Sequence, residues 1–256
     1  MILYMASWGT KRKIMYAGVF IILLGGIFTG LFFGVFYKKP TCFDGKQNAK
    51  ESGIDCGGAC RKVCEAEAIA PVVSWARAFE TSAGVYNVAA YIENPNINST
   101  AREIPYIFRL FDESNILVYE RKGKTDIQQG STFVVFETNI NTGNRRAKYT
   151  FFEFTETPDW QITSTSLVSD NLRVKSQNLD QNSKPIKFQA VIENLSLKTI
   201  NDIEVTVILY NDLGNAIATS KTILDEIGRE GEAIASFTWD KLEENATRFE
   251  VVTKVR

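Results

Sequence analysis

"AAYIENPN" (residues 89–96) and "QAVIENLS" (residues 189–196) carry the same Ile-Glu-Asn, with Ile92, Glu93 and Asn94 recurring 100 residues on as Ile192, Glu193 and Asn194. Two further blocks recur at intervals of 99 and 100 residues. "RLFDESNILV" (109–118) matches "ILYNDLGNAI" (208–217), and "DIQQGSTFVVFET" (126–138) matches "EIGREGEAIASFTW" (226–239). One-residue slips fall between the blocks, where loops belong. Two copies of one unit are the simplest account, and an internal period of this kind decides how the rest of the chain is read.

Each copy consists of short alternating runs rich in Val, Ile, Phe, Tyr and Thr, separated by Asn, Asp and Gly. That is all-β patterning. "VYNVAAYIENPN" (85–96) predicts a strand entering a turn, "YIFRLFDESNILVYER" (106–121) a hairpin around Asp112 to Asn115, and "AKYTFFEF" (147–154) a further strand. With strands every ten residues or so, each copy of about 90 residues predicts a seven-stranded, immunoglobulin-like β-sandwich. The first spans 71–160 and the second 169–256. Polar "NLRVKSQNLDQNSKP" (171–185) joins the copies, opening with a strand and ending in a loop, and the boundary falls between Pro158 and Ser169. Asn94 and Asn194, at one repeat position, predict a turn role in which the amide satisfies backbone groups. Trp75, Trp160 and Trp239 lie near strand ends and read as core or edge plugs rather than ligand platforms.

The second copy resembles the FxLYD domains, a small immunoglobulin-like family of prokaryotic envelope proteins. The residues carrying the resemblance are Phe188 to Asn194, then Leu209-Tyr210-Asn211 with Gly214. The first copy has Leu110-Phe111-Asp112, with Asn115 in the glycine position. Asn is the usual substitute where φ must be positive. The resemblance implies a sandwich that acts as an adapter or interaction module, not a catalyst.

All four cysteines, Cys42, Cys56, Cys60 and Cys64, lie upstream of the repeats in one loop-rich stretch. Too short to bury a core, such a segment predicts two disulfides, with three pairings open. Zinc is the alternative, but C-x13-C-x3-C-x3-C lacks the paired knuckles of structural zinc sites. Asp44, Asn48, Glu51 and Asp55 recur every three or four residues among glycines. They form a candidate calcium set, since calcium takes six to eight oxygens. The other reading is a turn-rich loop whose polar side chains cap the backbone. The run Cys-x-Asp-Gly-x-x-Asn-x-x-Glu-x-Gly-x-Asp-Cys-Gly-Gly-x-Cys resembles a DCGG-type cysteine motif of secreted and surface-anchored microbial proteins, with Ala49 where glycine is common. That resemblance implies an extracytoplasmic location and no chemistry.

Residues 14–37, "IMYAGVFIILLGGIFTGLFFGVFY", contain no charge. As a helix they would extend about 36 Å, enough to cross a hydrocarbon core of roughly 30 Å. Tyr16 and Tyr37 lie near the ends, where aromatic belts form. A signal h-region is shorter, no A-x-A-like site follows, and no lipobox precedes Cys42, so the segment reads as an uncleaved signal anchor. Lysine and arginine counts on the two sides are similar and leave orientation open. Disulfides orient it: residues 1–13 in the cytoplasm, 38–70 a cysteine-rich stalk outside. Gly26, Gly30 and Gly34 form two overlapping G-x-x-x-G steps, a stripe for helix–helix contact and a homodimer, set against the general abundance of glycine in membrane helices.

The chain has 256 residues, a net charge of -1 and no histidine. Near-neutral charge argues against nucleic acid, and Arg145, Arg146 and Lys148 make too small a basic cluster for a binding face. Without histidine the commonest general base and metal ligand are missing. No G-x-S-x-G elbow, P-loop or dinucleotide fingerprint occurs. Asn98, Asn194 and Asn245 head N-x-[ST] triplets that matter in a host that glycosylates them. The expectation is a single-pass envelope protein, not an enzyme and without a cofactor, that binds or scaffolds another envelope protein. The rival is a ligand-binding or accessory subunit of an envelope enzyme or transport complex, with calcium or glycan at its loops. A deep pocket between the sandwiches would favour the rival, and a flat, convex pair with no cavity the scaffold.

Overall fold

The computed structural model describes residues 8–36, 38–48, 50–163 and 168–256. Residues 1–7, Tyr37, Ala49 and part of the expected boundary between the copies lie outside the described residues. The chain forms two compact units, Met1–Ala59 and Cys60–Arg256.

In the first unit, α1 (Trp8–Leu31) continues into a π-helical turn over Phe32–Phe36. The segment long and apolar enough to cross a membrane runs Trp8–Val35. It starts before residue 14 because nothing at Lys11 to Lys13 stops a helix; the Arg12 guanidinium lies 3.8 Å over the Trp8 ring, one turn back. No residue of α1 is buried. A helix that is apolar all round and uncovered by protein is one suited to lipid. Beyond it, a loop with almost no regular structure carries the first two cysteines.

The second unit is all β. Its first half contains β1 (Val72–Ser82), β2 (Val85–Glu93), β3 (Ser99–Phe111), β4 (Leu117–Ile127), β5 (Thr132–Asn141), β6 (Tyr149–Phe154) and the short β7 (Gln161–Ile162). Its second half contains β8 (Leu172–Asp180), β9 (Ile186–Asn194), β10 (Ile200–Tyr210), β11 (Ala216–Ile227), β12 (Glu232–Trp239) and β13 (Arg248–Val255). All pairings are antiparallel. The sheets are β1-β2-β5 and β4-β3-β6 in the first half, with β7 on β3, and β8-β9-β12 and β11-β10-β13 in the second. Strand order is the same in both halves. In each, the two sheets close face to face on one core: Ile92, Phe108, Leu110 and Trp160 in the first, Phe188, Ile192, Val207 and Leu209 in the second.

Residue-level details recur at matching positions. Asn94 and Asn194 are 1% and 0% exposed. Asn94 Nδ2 donates to Ser99 O (3.0 Å) and Gln128 O (2.7 Å), and its Oδ1 accepts from Asn96 N (3.0 Å). Asn194 Nδ2 donates to Lys198 O (2.7 Å), Ile227 O (3.1 Å) and Gly228 O (2.9 Å), and its Oδ1 accepts from Ser196 N (2.9 Å). Each amide thus satisfies backbone groups of two loops that cross the end of its sandwich, the role the sequence suggests. The β3–β4 and β10–β11 turns also agree. Asp112 Oδ1 accepts from Ser114 N and Ile116 N, and Asn211 Oδ1 from Leu213 N and Asn215 N. Asn115 has φ +58° where Gly214 has +76°.

A third apolar cluster joins the halves. Ala89, Val134 and Phe136 from β1-β2-β5 meet Ile208, Tyr210 and Ala216 from β11-β10-β13, with Trp75, Phe79, Tyr91 and Val252 around them. β2, β5 and β10 are therefore covered on both faces. This explains why "VAAYI", "FVVF" and "VTVILY" read as near-continuous apolar runs rather than clean alternations. Strand register shows several positions at which the two seam faces are more apolar than their counterparts, although Glu250 lies in the seam where the first half has Phe151 on its outer face. At positions where the first half has Trp75, Ala89 and Phe136, the second has Ser176, Gln189 and Ser236. Where the second half has Ile208 and Val252, the first has Arg109 and Glu153. Arg109 closes ion pairs with Glu120 (3.3 Å) and Glu153 (2.6 Å). At these positions the two outermost faces carry polar or charged side chains, beside exposed Phe151 on one and Ile234 on the other.

The segment after Cys60 belongs to this unit. Val63 N donates to Trp160 O (2.9 Å) and Ile162 N to Arg61 O (2.6 Å). Ile69 N donates to Asn96 Oδ1 (2.9 Å), while Val63 and Ala68 pack on the first core. Residues 61–69 of the expected stalk are in this way fastened to the first sandwich through its edge strand β7.

Candidate functional site

All four cysteines are in disulfides, which makes two bridges and excludes the zinc alternative, because thiolates are what zinc binds. The acids among the candidate calcium donors accept hydrogen bonds from within the loop. Asp55 Oδ1 accepts from Asp44 N (3.0 Å) and its Oδ2 from Gly45 N (2.9 Å). Asp44 accepts from Lys46 N (3.0 Å) and Asn48 Nδ2 (2.9 Å). Glu51 Oε2 accepts from Asn48 N (3.1 Å). The bond from Asn48, ahead of those from Thr41 and Lys46, holds the Asp44 carboxyl below the usual carboxylate range. Among the described residues, Asp44, Glu51 and Asp55 do not bring three carboxylate oxygens within 4.8 Å of one another. The acids cap the backbone of a loop too short to satisfy itself with sheet or helix. Gly58 is required there: at φ +57°, a Cβ would lie 1.9 Å from Lys50 O.

Gly26, Gly30 and Gly34 face open space, with nothing within 4 Å of a built Cβ. Gly34 lies in the π-helical turn, so the stripe is regular α-helix only through Gly26 and Gly30.

Among the tryptophans, Trp160 is core. Trp239 edges the second core. Trp75 lies in the seam between the halves, stacked on Tyr91 at 5.7 Å and 19°. The N-x-[ST] asparagines separate by burial: Asn98 and Asn245 are exposed, whereas the fully engaged Asn194 presents no amide to a glycosylating enzyme.

The seam collects the polar chemistry that sequence reasoning missed. On one side, Tyr91 Oη (2.6 Å) and Tyr210 Oη (3.1 Å) both donate to Glu250, one to each carboxylate oxygen. The Arg248 guanidinium lies 3.8 Å over the Tyr210 ring. Burial, then the Glu250 charge, pushes the Tyr210 phenol up to about 12. Burial and the bond to Glu250 lift Tyr91 above the ordinary tyrosine range. Arg77 donates to Ala216 O and Asn215 Oδ1 across the seam, both at 3.0 Å. On the other side, Lys254 Nζ donates to Thr125 Oγ1 (2.9 Å) and Asp126 O (2.8 Å), and burial lowers its pKa. Glu204, 8% exposed, accepts from Lys221 Nζ (3.1 Å) and Arg256 Nε (2.8 Å). Burial alone would raise the Glu204 pKa; Lys221 and Arg256 outweigh it, and the net shift is downward.

Two open grooves flank the seam. One, of about 630 Å³, is lined by Arg77, Glu80, Asn87, Lys148, Asn211 and Trp239 among others. The other, of about 590 Å³, is lined by Tyr106, Lys124, Glu137, Glu204, Lys221 and Lys254 among others. Both have the size of small-molecule sites, but they are polar rather than apolar. Their charges are mixed in sign, and the ion pairs and hydrogen bonds above engage many of them. Such walls hold two sandwiches in one relation, and offer amide, hydroxyl and charged groups to a polar ligand or a protein surface. The signal for the seam was present as the doubly apolar β2, β5 and β10, but it did not say which charged residues would be drawn to its rim.

No family model matches the chain. No curated protein matches it in sequence. Solved structures with a resemblance include the crystal structure of red sea bream transglutaminase, at 7% identity over 71% of this chain and 31% of that one, with a TM-score of 0.24. The chain thus spans under a third of that protein's length, and a likeness of this order carries no argument about fold or activity.

Proposed function

We propose that the chain is a single-pass envelope protein that binds or scaffolds another envelope protein through two joined immunoglobulin-like sandwiches, without catalytic activity of its own. The N-terminus lies in the cytoplasm, α1 spans the membrane, and the disulfide-bearing loop and both sandwiches are extracytoplasmic. The observation that carries this reading is the seam. A helix suited to a membrane and a disulfide-held loop precede two sandwiches that share a third apolar cluster, and the unit they form is larger than either alone. Matched strand orders, twin buried asparagines and twin turns support the duplication of one module. The disulfides support an oxidising compartment for everything after α1. The Gly26 and Gly30 stripe supports a helix-mediated homodimer.

A tag at the C-terminus should be digested by protease added to intact cells, and an N-terminal tag only after permeabilisation; the reverse pattern would invert the topology. Proximity labelling from the C-terminus should then enrich membrane or envelope proteins over a secreted control. The second reading, a ligand-binding or accessory subunit, is favoured by the two grooves along the seam. A saturable thermal shift of the purified chain with calcium or an oligosaccharide would support it over the scaffold.

A further inference from the structure

The cysteine loop has an outer surface that its internal bonding does not use. Phe43 is 92% exposed and Ile54 64% exposed. Each immediately precedes one of the two aspartates joined by the Asp44 N to Asp55 Oδ1 bond, so the loop's own closure fixes both. Lys38, Lys39, Lys46 and Lys50 are exposed. Over residues 38–59 they face only three acids, Asp44, Glu51 and Asp55, all of which accept hydrogen bonds from within the loop. Residues 38–54 therefore expose two large apolar side chains and four lysines.

We propose that the loop seats on the anionic headgroup surface of the membrane that α1 crosses, with Phe43 and Ile54 entering the interface and the lysines meeting lipid phosphates. Phe43 follows Phe36, the last described residue of the helical segment, by seven residues. Extended chain covers at most about 25 Å in that distance, and the interface begins where the hydrocarbon ends, so the loop cannot leave the headgroup neighbourhood by far. Tethering at this length replaces free diffusion with a high effective concentration. Aromatic side chains partition to that depth, and lysines add attraction, screened by salt, where the outer leaflet that the loop faces carries anionic lipid. Lipid is favoured over a protein partner because the same short stretch combines basic charge, exposed apolar groups and the anchor. The proposal rests on α1 spanning the membrane.

The test is photo-crosslinking of the full-length chain in nanodiscs, with p-benzoylphenylalanine at position 43, 54 or 24, and adducts read by intact mass. Discs of phosphatidylglycerol mixed with phosphatidylcholine are compared with pure phosphatidylcholine. Lipid adducts are expected at Phe43 and Ile54 as well as at Leu24. At Phe43 the yield should fall roughly fivefold with Lys46→Gln, the effect of about one lysine's attraction to an anionic surface, and further in pure phosphatidylcholine, where all four lysines lose it. Adducts at Leu24 without any at Phe43 or Ile54 would overturn the proposal and leave the spanning helix standing. Adducts between two copies at Phe43 would replace lipid by a second chain. Absence of lipid adducts at all three positions would remove the spanning helix and the proposal with it.

Discussion

Replacing Asn194 by alanine should destabilise the second sandwich far more than any surface change. The side chain is 0% exposed and its Nδ2 donates to Lys198 O, Ile227 O and Gly228 O, while Oδ1 accepts from Ser196 N and Ser196 Oγ. An amide has two N–H groups, so two carbonyls at a time receive a full bond. Asn194→Ala removes those donors and the acceptor together. A typical net bond contributes about 1 kcal/mol, and a buried group left orphaned costs about 1–3 kcal/mol. Some of the vacated volume would admit water, which places the expected loss at about 3–4 kcal/mol, a large part of the 5–15 kcal/mol typical of a domain. Asn94→Ala should cost a similar amount in the first sandwich, because its amide meets Ser99 O, Gln128 O and Asn96 N in the same way. Asn194→Asp keeps the acceptor but faces two or more carbonyls with a carboxylate, and should be at least as damaging at neutral pH. Urea denaturation of the purified chain, followed by tryptophan fluorescence, measures all three. A loss below about 1 kcal/mol for Asn194→Ala would show that the buried amide is not what closes this end of the sandwich.

Gly30→Ile in residues 11–39 should preserve membrane insertion and weaken self-association in a membrane two-hybrid reporter; equal signals would assign any dimer to the sandwiches. Stability should fall at alkaline pH, because a phenol whose folded pKa is raised contributes stability fully present below the unfolded value of about 10 and lost as pH rises through the folded one. With Tyr210 pushed up to about 12, absorbance titration should show late-ionising tyrosines whose transition coincides with unfolding, and Glu250→Gln should move it down in pH. Glu204 works in the opposite direction. Its folded pKa lies below its ordinary value of 4.5, so its stabilisation is present above that pH and lost as pH falls through the folded value; Glu204→Gln should weaken the acid dependence and destabilise the chain near pH 7 by leaving Lys221 and Arg256 without their partner. Gly58→Ala should lower the yield of the fully disulfide-bonded chain on non-reducing gels, since its Cβ would collide with Lys50 O.

Much was legible before any coordinates because it is written in local, periodic signals. The 100-residue interval between Asn94 and Asn194 marked equivalent turns, and the buried amides confirm their task. Asn115 standing for Gly214 announced a positive φ, which a side chain of that type tolerates. The uncharged run and the clustered cysteines announced a membrane-length helix and two disulfides by composition alone. The acids of the loop were legible as oxygen donors, but sequence does not say whether a cation or a backbone N–H will take them. Only the folded loop shows Asp55 turned onto Asp44 N and Gly45 N.

The relation between the sandwiches was decided in three dimensions. β2, β5 and β10 advertise two apolar faces each, but an apolar face does not name its partner. That choice follows from comparing positions that are adjacent only after folding: Phe136 against Ser236, Ile208 against Arg109, Val252 against Glu153. Each of these differences places a polar or charged group on one candidate face and leaves its counterpart apolar, so the observed stacking buries more hydrocarbon, while Glu250, the charged group that the seam does bury, is bonded to Tyr91 and Tyr210. Likewise the chain alone could not show that residues 61–69 lie along the edge of the first sandwich, since their bonds to Trp160, Ile162 and Asn96 join residues distant in sequence. Strands, turns and the apolar helix are set by neighbours a few residues apart; the seam and its rim of Glu204, Lys254, Tyr210 and Glu250 are set by burial, which only the assembled sheets define.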